Sequence, residues 1–430
     1  MMHVQEKVVV SQETPEKIAS PSSPWFTRSM FIAALATFLL LNAALSFSSL
    51  IEWDVHKFPY KGWSWWVITD LRGGNRVHNV ALLGSSLMCS ALDGSDANFL
   101  NTNLDLAIHH QAVYLDHKLR TTFGGDFDTF SLAAPGQMPS DAYLMLKAMV
   151  NHSRRPDVVI YGVAPRDFID STLSCPIDTE PFKYLRRLVN IDDVHGWLFR
   201  TPFQKLDWWL QKGIYTYGCS TDFQLAFVDC AKQFVNVAIP DPPTSTPFTW
   251  WDRVRLLPDY LPGEVHERAT IVGPVDEKTA YSTYKDNTSD YLARYRSPDP
   301  RTYQTQMFFL KKIMEFCEKE RIELVMVNMP ITLYNACMLQ PGIYQKYVQA
   351  LTDVCKENKV EFFDLADFRE FVQPYFYDSV HMNAFGGQKF FDKLVRCLAD
   401  DYRSSSAMIA AARELERHRA LATAGRERTY

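Results

Sequence analysis

Two short stretches at opposite ends of the chain carry side chains suited to nucleophilic chemistry. The first, 77–90, reads VHNVALLGSSLMCS. Its β-branched Val77 and Val80, then Ala81, Leu82 and Leu83, predict a strand buried on both faces of a parallel sheet. The run breaks at Gly84 and presents Ser85 and Ser86 ahead of helix-permissive residues. A strand that stops at glycine and turns into a helix sets a small polar side chain at the carboxyl end of the sheet, where open α/β sheets bind their ligands. The helix N-terminus adds backbone N–H donors and the positive end of a dipole, the setting a serine nucleophile needs. The same tripeptide also reads as a plain βα turn with an N-cap serine. The second stretch, 375–387, reads YFYDSVHMNAFGG and sets Asp378 three residues before His381. In a tight turn that spacing lets the carboxylate hold one ring nitrogen and leaves the other free as a general base. Either residue would equally serve as a cap for the helix predicted over 384–398.

Taken together, these stretches resemble the SGNH/GDSL hydrolase family, which has a Gly-x-Ser after the first strand and a late Asp-x-x-His. Gly84-Ser85-Ser86-Leu87 matches the first block, with Ser85 where the name-giving Asp stands, and Asp378-x-x-His381 matches the last. The resemblance therefore implies a Ser86, His381, Asp378 triad with Ser86, not Ser85, as nucleophile. It also implies an oxyanion hole built from the backbone of Ser86 and of Gly136, in the LAAPGQ of 132–137. The family's Gly-x-Asn-Asp block falls on Gly162-Val163-Ala164-Pro165-Arg166-Asp167, and its Asn is missing. Arg166 is chemically able to supply a charged N–H donor to the oxyanion, or to clamp a carboxylate of substrate or protein. Gly136, beside Pro135, also reads as an ordinary turn glycine.

Positioning these residues requires an alternating βα chain. Apolar runs predict strands over 77–83, 127–132, 157–162, 322–328 and 360–365, and helical periodicity predicts helices over 107–123, 140–152, 303–319, 344–358 and 383–398. Such alternation specifies an α/β fold, a flavodoxin-like three-layer α/β/α sandwich with a parallel sheet and right-handed crossovers. The domain is expected over 77–400. Residues 170–300 interrupt it as a mainly helical insertion containing Trp197, Trp208, Trp209, Trp250 and Trp251. Those aromatics suit stacking on sugars, contact with lipid, or the insertion's own core. The block YLARY at 291–295 is placed to face a cleft, and 403–430 reads as a helical tail without a catalytic role.

The 430 residues are 47% hydrophobic and 22% charged, and 45 basic against 50 acidic residues leave a net charge of −5. This composition is that of a globular protein, and a mildly acidic chain without a basic aromatic patch argues against nucleic acid as partner. Residues 1–28 are polar and aperiodic, a disordered tail. Residues 30–51 are uncharged and apolar, with Asn42 their most polar member, which fits one membrane crossing. A cleaved signal peptide is the rival reading, set against it by the long polar segment in front. Trp53, Trp63, Trp65, Trp66 and Tyr60 suit an interfacial aromatic belt. Lys7, Lys17 and Arg28 before the span balance Lys57, Lys61 and Arg72 after it, so charge does not orient it. Of eight cysteines, Cys317, Cys355 and Cys397 fall in apolar helical patterns, whereas Cys175, Cys219 and Cys230 allow a disulfide in an oxidising compartment. His109, His110, His117 and Asp116 read as a solvated helix face rather than a metal site.

The function these observations imply is acyl transfer through a covalent serine ester, with no cofactor or metal. By resemblance the chain is similar to membrane-anchored SGNH-like polysaccharide esterases and O-acyltransferases. That implies an acylated extracytoplasmic glycan or other ester as substrate, a single N-terminal membrane helix, and a multipass membrane acyltransferase as partner. Two other classes stay open: an inactive SGNH-like glycan-binding module, favoured by Arg166 in place of Asn, and an anchored scaffold using the Trp-rich insertion as partner surface.

Overall fold

Five strands form the centre of the molecule. They are β1 (Val80–Leu83), β2 (Thr129–Ser131), β3 (Val158–Val163), β4 (Glu323–Asn328) and β5 (Glu361–Asp364). They pair in the order β2-β1-β3-β4-β5, every neighbour parallel. The computed structural model describes residues 30–47, 62–73, 77–151, 155–173, 175–238 and 271–427. All residues of β1 and β3 are buried, which explains their unbroken apolar sequence. Burying each Val or Leu there contributes about 1.5–3 kcal/mol. This order is doubly wound, and the chain reverses direction across the sheet between β1 and β3, the crevice where such folds bind ligands.

Helices cover both faces. One layer holds α3 (Ser86–Leu100), α4 (Val113–Phe123), α13 (Ala384–Asp400) and α14 (Tyr402–Glu427). The opposite layer holds α2 (Trp63–Gly73), α5 (Pro139–Asn151), α7 (Glu180–Leu188) and α11 (Pro300–Glu320). Between β3 and α11 come the short α6 (Arg166–Ile169), then α7, α8 (Pro202–Gly213), α9 (Ser220–Ala238) and α10 (Thr288–Tyr295), so the described part of the insertion is mainly helical. α12 (Ile343–Glu357) joins β4 to β5. An apolar helix, α1 (Met30–Phe47), precedes the sheet and is long and apolar enough to cross a membrane.

Several local expectations change. The helix expected from residue 107 starts at Val113, and ahead of it Leu104 and Asp105 pair antiparallel with Val272 and Ile271 of the insertion. The histidine cluster is a solvated face only at His117, which is exposed. His110 and Asp116 are buried, the Asp116 carboxylate accepts from Thr129 N–H, and His109 Nε2 bonds the buried Asp96 carboxylate at 2.8 Å. Trp65 packs in the core with Val67 and Ile68 rather than standing in an aromatic belt; Trp53, Tyr60, Trp250 and Trp251 lie outside the described residues. All eight cysteines are free thiols, with Cys175, Cys317 and Cys355 buried. The C-terminal helix α14 is built into the molecule: Met408, Ala411, Ala412 and Leu415 are buried, and the Ala411 carbonyl accepts from the Asn79 side chain.

Candidate active site

β1 ends at Leu83, Gly84 and Ser85 make the turn, and α3 begins at Ser86. The turn has no room for a side chain at Gly84. A β-carbon there would sit 2.8 Å from Met88 Cβ and 3.1 Å from the Gly162 carbonyl of β3. Gln137 ties this turn to the neighbouring strand end, because its Oε1 accepts from Gly84 N–H at 3.0 Å while its Nε2 donates to the Leu132 carbonyl at 2.8 Å. Ser85 is the N-cap residue and is buried beside the Asp167 carboxylate. Ser86 is half-exposed at the first position of the helix, where backbone N–H groups have no intrahelical acceptor. The two adjacent serines are therefore sorted by the turn, one inward and one onto the rim.

The second stretch forms a closed loop ahead of α13. Tyr377 N–H donates to the His381 carbonyl at 2.7 Å, and Phe376 bridges Met382 antiparallel. Inside the loop, Asp378 Oδ1 accepts from the N–H groups of Val380 (2.9 Å) and His381 (2.8 Å), and Oδ2 meets His381 Nδ1 at 2.7 Å. Burial opposes ionisation of Asp378, but the His381 ring and these N–H groups outweigh it and hold the carboxyl below its usual range. Asn383 caps α13 by accepting from Gly386 N–H, while its Nδ2 donates to the Pro374 carbonyl at 2.7 Å. The cap role thus falls to Asn383, which leaves Asp378 for the imidazole.

Close packing of two helices brings the loops together. A β-carbon on Gly387 of α13 would lie 2.3 Å from the Ala91 carbonyl of α3, and one on Gly94 of α3 would lie 3.1 Å from Ala384 N. Small residues at both points let α13 lie directly on α3, which delivers the His381 loop to the helix start. There His381 Nε2 stands 2.7 Å from Ser86 Oγ. A serine hydroxyl, an imidazole and a carboxylate so linked form a proton-transfer string able to activate the hydroxyl for attack.

Gly136 lies in the loop after β2 and Arg166 opens the short α6 after β3, the strands on either side of β1. Gly136 adopts φ +78°, and Arg166 Nη2 lies 3.5 Å from where its β-carbon would be. Neither is hydrogen-bonded to Ser86 among the described residues. Arg166 is buried with its Nε donating to Asp170 at 2.9 Å, and Asp170 in turn holds Arg294 and Thr172. Nη1 lies 3.5 Å from Asp167 Oδ1 and has no hydrogen-bond acceptor among the described residues. Burial opposes the Arg166 charge, and Asp167 and Asp170 outweigh it, so the group stays a cation. Burial pushes Asp167 up to about 6 against the pull of Arg166, the Ala164 N–H and Ser85.

No family model and no curated protein sequence matches the chain. Among solved structures it is similar to a crystal structure from Bacteroides fragilis NCTC 9343, provisionally described as an acylhydrolase. The TM-score is 0.30 and the identity 8%, covering 77% of this chain and 95% of that one. A likeness that slight transfers neither residues nor activity, and the site stands on its own geometry.

Several supporting residues have no signature in the sequence. Gln137, Asp170 and Arg294 make their contacts across 53 and 124 residues of separation. Asn287 of the insertion accepts from Ser379 N–H, and Asn335, in the segment after β4, donates to the Ser379 hydroxyl, so the loop is steadied from two sides. Only the YLARY block hinted at this: Arg294 pairs with Asp170, and the buried Tyr291 lies within electrostatic reach of Arg166 and Asp378. Trp197 and Trp208 are occupied elsewhere, stacked on Phe308 and His195.

Proposed function

We propose that the protein is a membrane-anchored SGNH-type serine esterase or O-acyltransferase acting on acyl esters, acetyl above all, of an extracytoplasmic glycan. The observation carrying this reading is the string Ser86–His381–Asp378, with both links at 2.7 Å. Ser86 Oγ attacks the acyl carbonyl carbon as His381 Nε2 takes its proton, and Asp378 stabilises the imidazolium. The tetrahedral intermediate collapses as that proton passes to the departing alcohol, leaving the acyl group on Ser86. Water or a sugar hydroxyl, deprotonated by the same nitrogen, then releases it. The oxyanion is met by the N–H groups of Ser86 and Gly136 and by the Arg166 guanidinium, whose Nη atoms are not committed to Asp170. A single donor of this kind is worth about a hundredfold or more in rate.

In this reading α1 crosses the membrane once with the catalytic domain outside the cytoplasm, and a multipass acyltransferase would be the acyl donor if transfer prevails over hydrolysis. The test is turnover of an acetyl ester by the full chain against Ser86→Ala and His381→Ala. Loss in both variants is expected; equal turnover in all three would overturn the triad. Repeating the assay with and without a sugar acceptor separates transfer from hydrolysis.

A further inference from the structure

The only strongly polar side chain expected in the apolar N-terminal span is put to use by the fold. Asn42 is the one buried residue of α1, and its Oδ1 accepts from both the N–H (2.9 Å) and the hydroxyl (3.2 Å) of Thr216. Thr216 lies in Tyr215–Gly218, the short turn of helix that joins α8 to α9. From Met30 to Leu41 every residue of α1 is exposed. The contact with the folded insertion is thus confined to the end of α1, within about 8 Å of Phe47 at 1.5 Å per residue.

The two helices joined at that turn each leave an apolar stripe uncovered. On α8, Phe203, Leu206 and Trp209 are 82%, 54% and 57% exposed at successive third positions. On α9, Phe227, Phe234 and Val237 are 74%, 63% and 88% exposed, with exposed Cys230 on the same stripe. Lys205 and Lys212 are exposed on α8. Apolar stripes of Phe, Trp and Leu beside lysines are the composition of helices that lie in a bilayer interface. Resting on the reading of α1 as a membrane span, we propose that α8 and α9 dock on the outer surface of the same bilayer. Asn42 and Thr216 fix the depth of the turn between them. Continuity with α1 selects the occupant: whatever surrounds the end of α1 also surrounds a turn bonded to it. The domain is then held flat against the membrane rather than swinging on a tether, and its substrate is one presented at the lipid surface.

The test uses the full chain in phosphatidylcholine–phosphatidylglycerol vesicles, with Cys219→Ser, Cys230→Ser and Cys337→Ser as background. An environment-sensitive fluorophore is placed through Leu206→Cys, Phe227→Cys, Leu39→Cys (within α1) or Tyr334→Cys (an exposed site on the sheet domain). The labels at 206 and 227 are expected to be quenched by a shallow nitroxide lipid, with iodide quenching about fivefold weaker than at 334. Quenching by iodide equal to that at 334 would overturn the proposal. So would shielding from iodide without lipid quenching, which would mark a protein partner or second copy as the cover. Absence of lipid quenching at 39 would sink the membrane span itself and this docking with it, an outcome distinguishable from failure at 206 and 227 alone.

Discussion

Replacing Asp378 by Asn is nearly isosteric, yet the loop geometry makes it worse than a simple loss of charge. Oδ1 of Asp378 accepts from two backbone N–H groups and Oδ2 faces His381 Nδ1. In Asp378→Asn the single amide oxygen must stay with the two backbone donors, since an NH2 group there would confront them. The NH2 then faces Nδ1 and forces that nitrogen to accept. The imidazole proton moves to Nε2, 2.7 Å from Ser86 Oγ, where it donates to the hydroxyl instead of receiving its proton. A tautomer inversion of this kind costs about 10³–10⁴ in rate, or about 4–5 kcal/mol of barrier.

The assay is the second-order rate of labelling by a fluorophosphonate, which reads nucleophilicity of the serine without needing the natural substrate. Asp378→Ala, which leaves the tautomer free, is the comparison. The expected order is native fastest, then Asp378→Ala, with Asp378→Asn equal or slower. Labelling of Asp378→Asn within tenfold of native, or faster than Asp378→Ala, would refute the tautomer argument.

Three further outcomes are expected. Gly387→Ala puts a β-carbon 2.3 Å from the Ala91 carbonyl, so α13 must withdraw. Stability should fall by about 1–3 kcal/mol in a denaturant melt, and labelling by about a hundredfold as His381 leaves Ser86; retention of both would show that the helix contact does not position the loop. Arg166→Lys keeps a charge beside Asp170 but not the planar fork. Acyl turnover should drop about a hundredfold with the melt little changed, and an unaltered rate would remove Arg166 from the oxyanion hole. Asp141 is buried, accepts from the Thr179 hydroxyl at 2.6 Å, and is pushed by burial up to about 7 from 3.8. Its folded form keeps the proton longer than the unfolded one, so its stabilising contribution is present below about pH 4 and lost as pH rises through about 7. Relative to Asp141→Asn, the native protein should lose up to about 4 kcal/mol between pH 4 and 8; parallel stability curves would contradict the burial argument.

The sheet was legible where burial leaves a continuous apolar run, as in Val80–Leu83 and Val158–Val163, because a strand covered on both faces has no polar positions to blur the pattern. The expected strand at 127–132 shrinks to Thr129–Ser131: Leu132 N–H still donates to the Leu82 carbonyl of β1, but Asp128 N–H turns to the Asn79 side chain instead of a strand carbonyl. Local pattern failed wherever a distant residue decided the outcome. The helix start at Val113 is set by the Asp96 carboxylate, which accepts from the N–H groups of Val113 and Tyr114. That same carboxylate takes His109 out of solvent. Nothing near His109 in sequence shows a buried acid waiting for it. At the candidate site, the residue types of Ser86, Asp378 and His381 were visible as short motifs. Their approach was not, because it depends on Gly387 and Gly94 letting two helices touch.

In the proposed reaction one particular hydroxyl, and not its neighbour, takes the acyl group. Mass mapping of the fluorophosphonate adduct on the native full chain tests it directly. A single adduct on Ser86, lost in His381→Ala, is expected, with none on the inward-facing Ser85. An adduct on Ser85, or none on either serine in a folded protein, would contradict it.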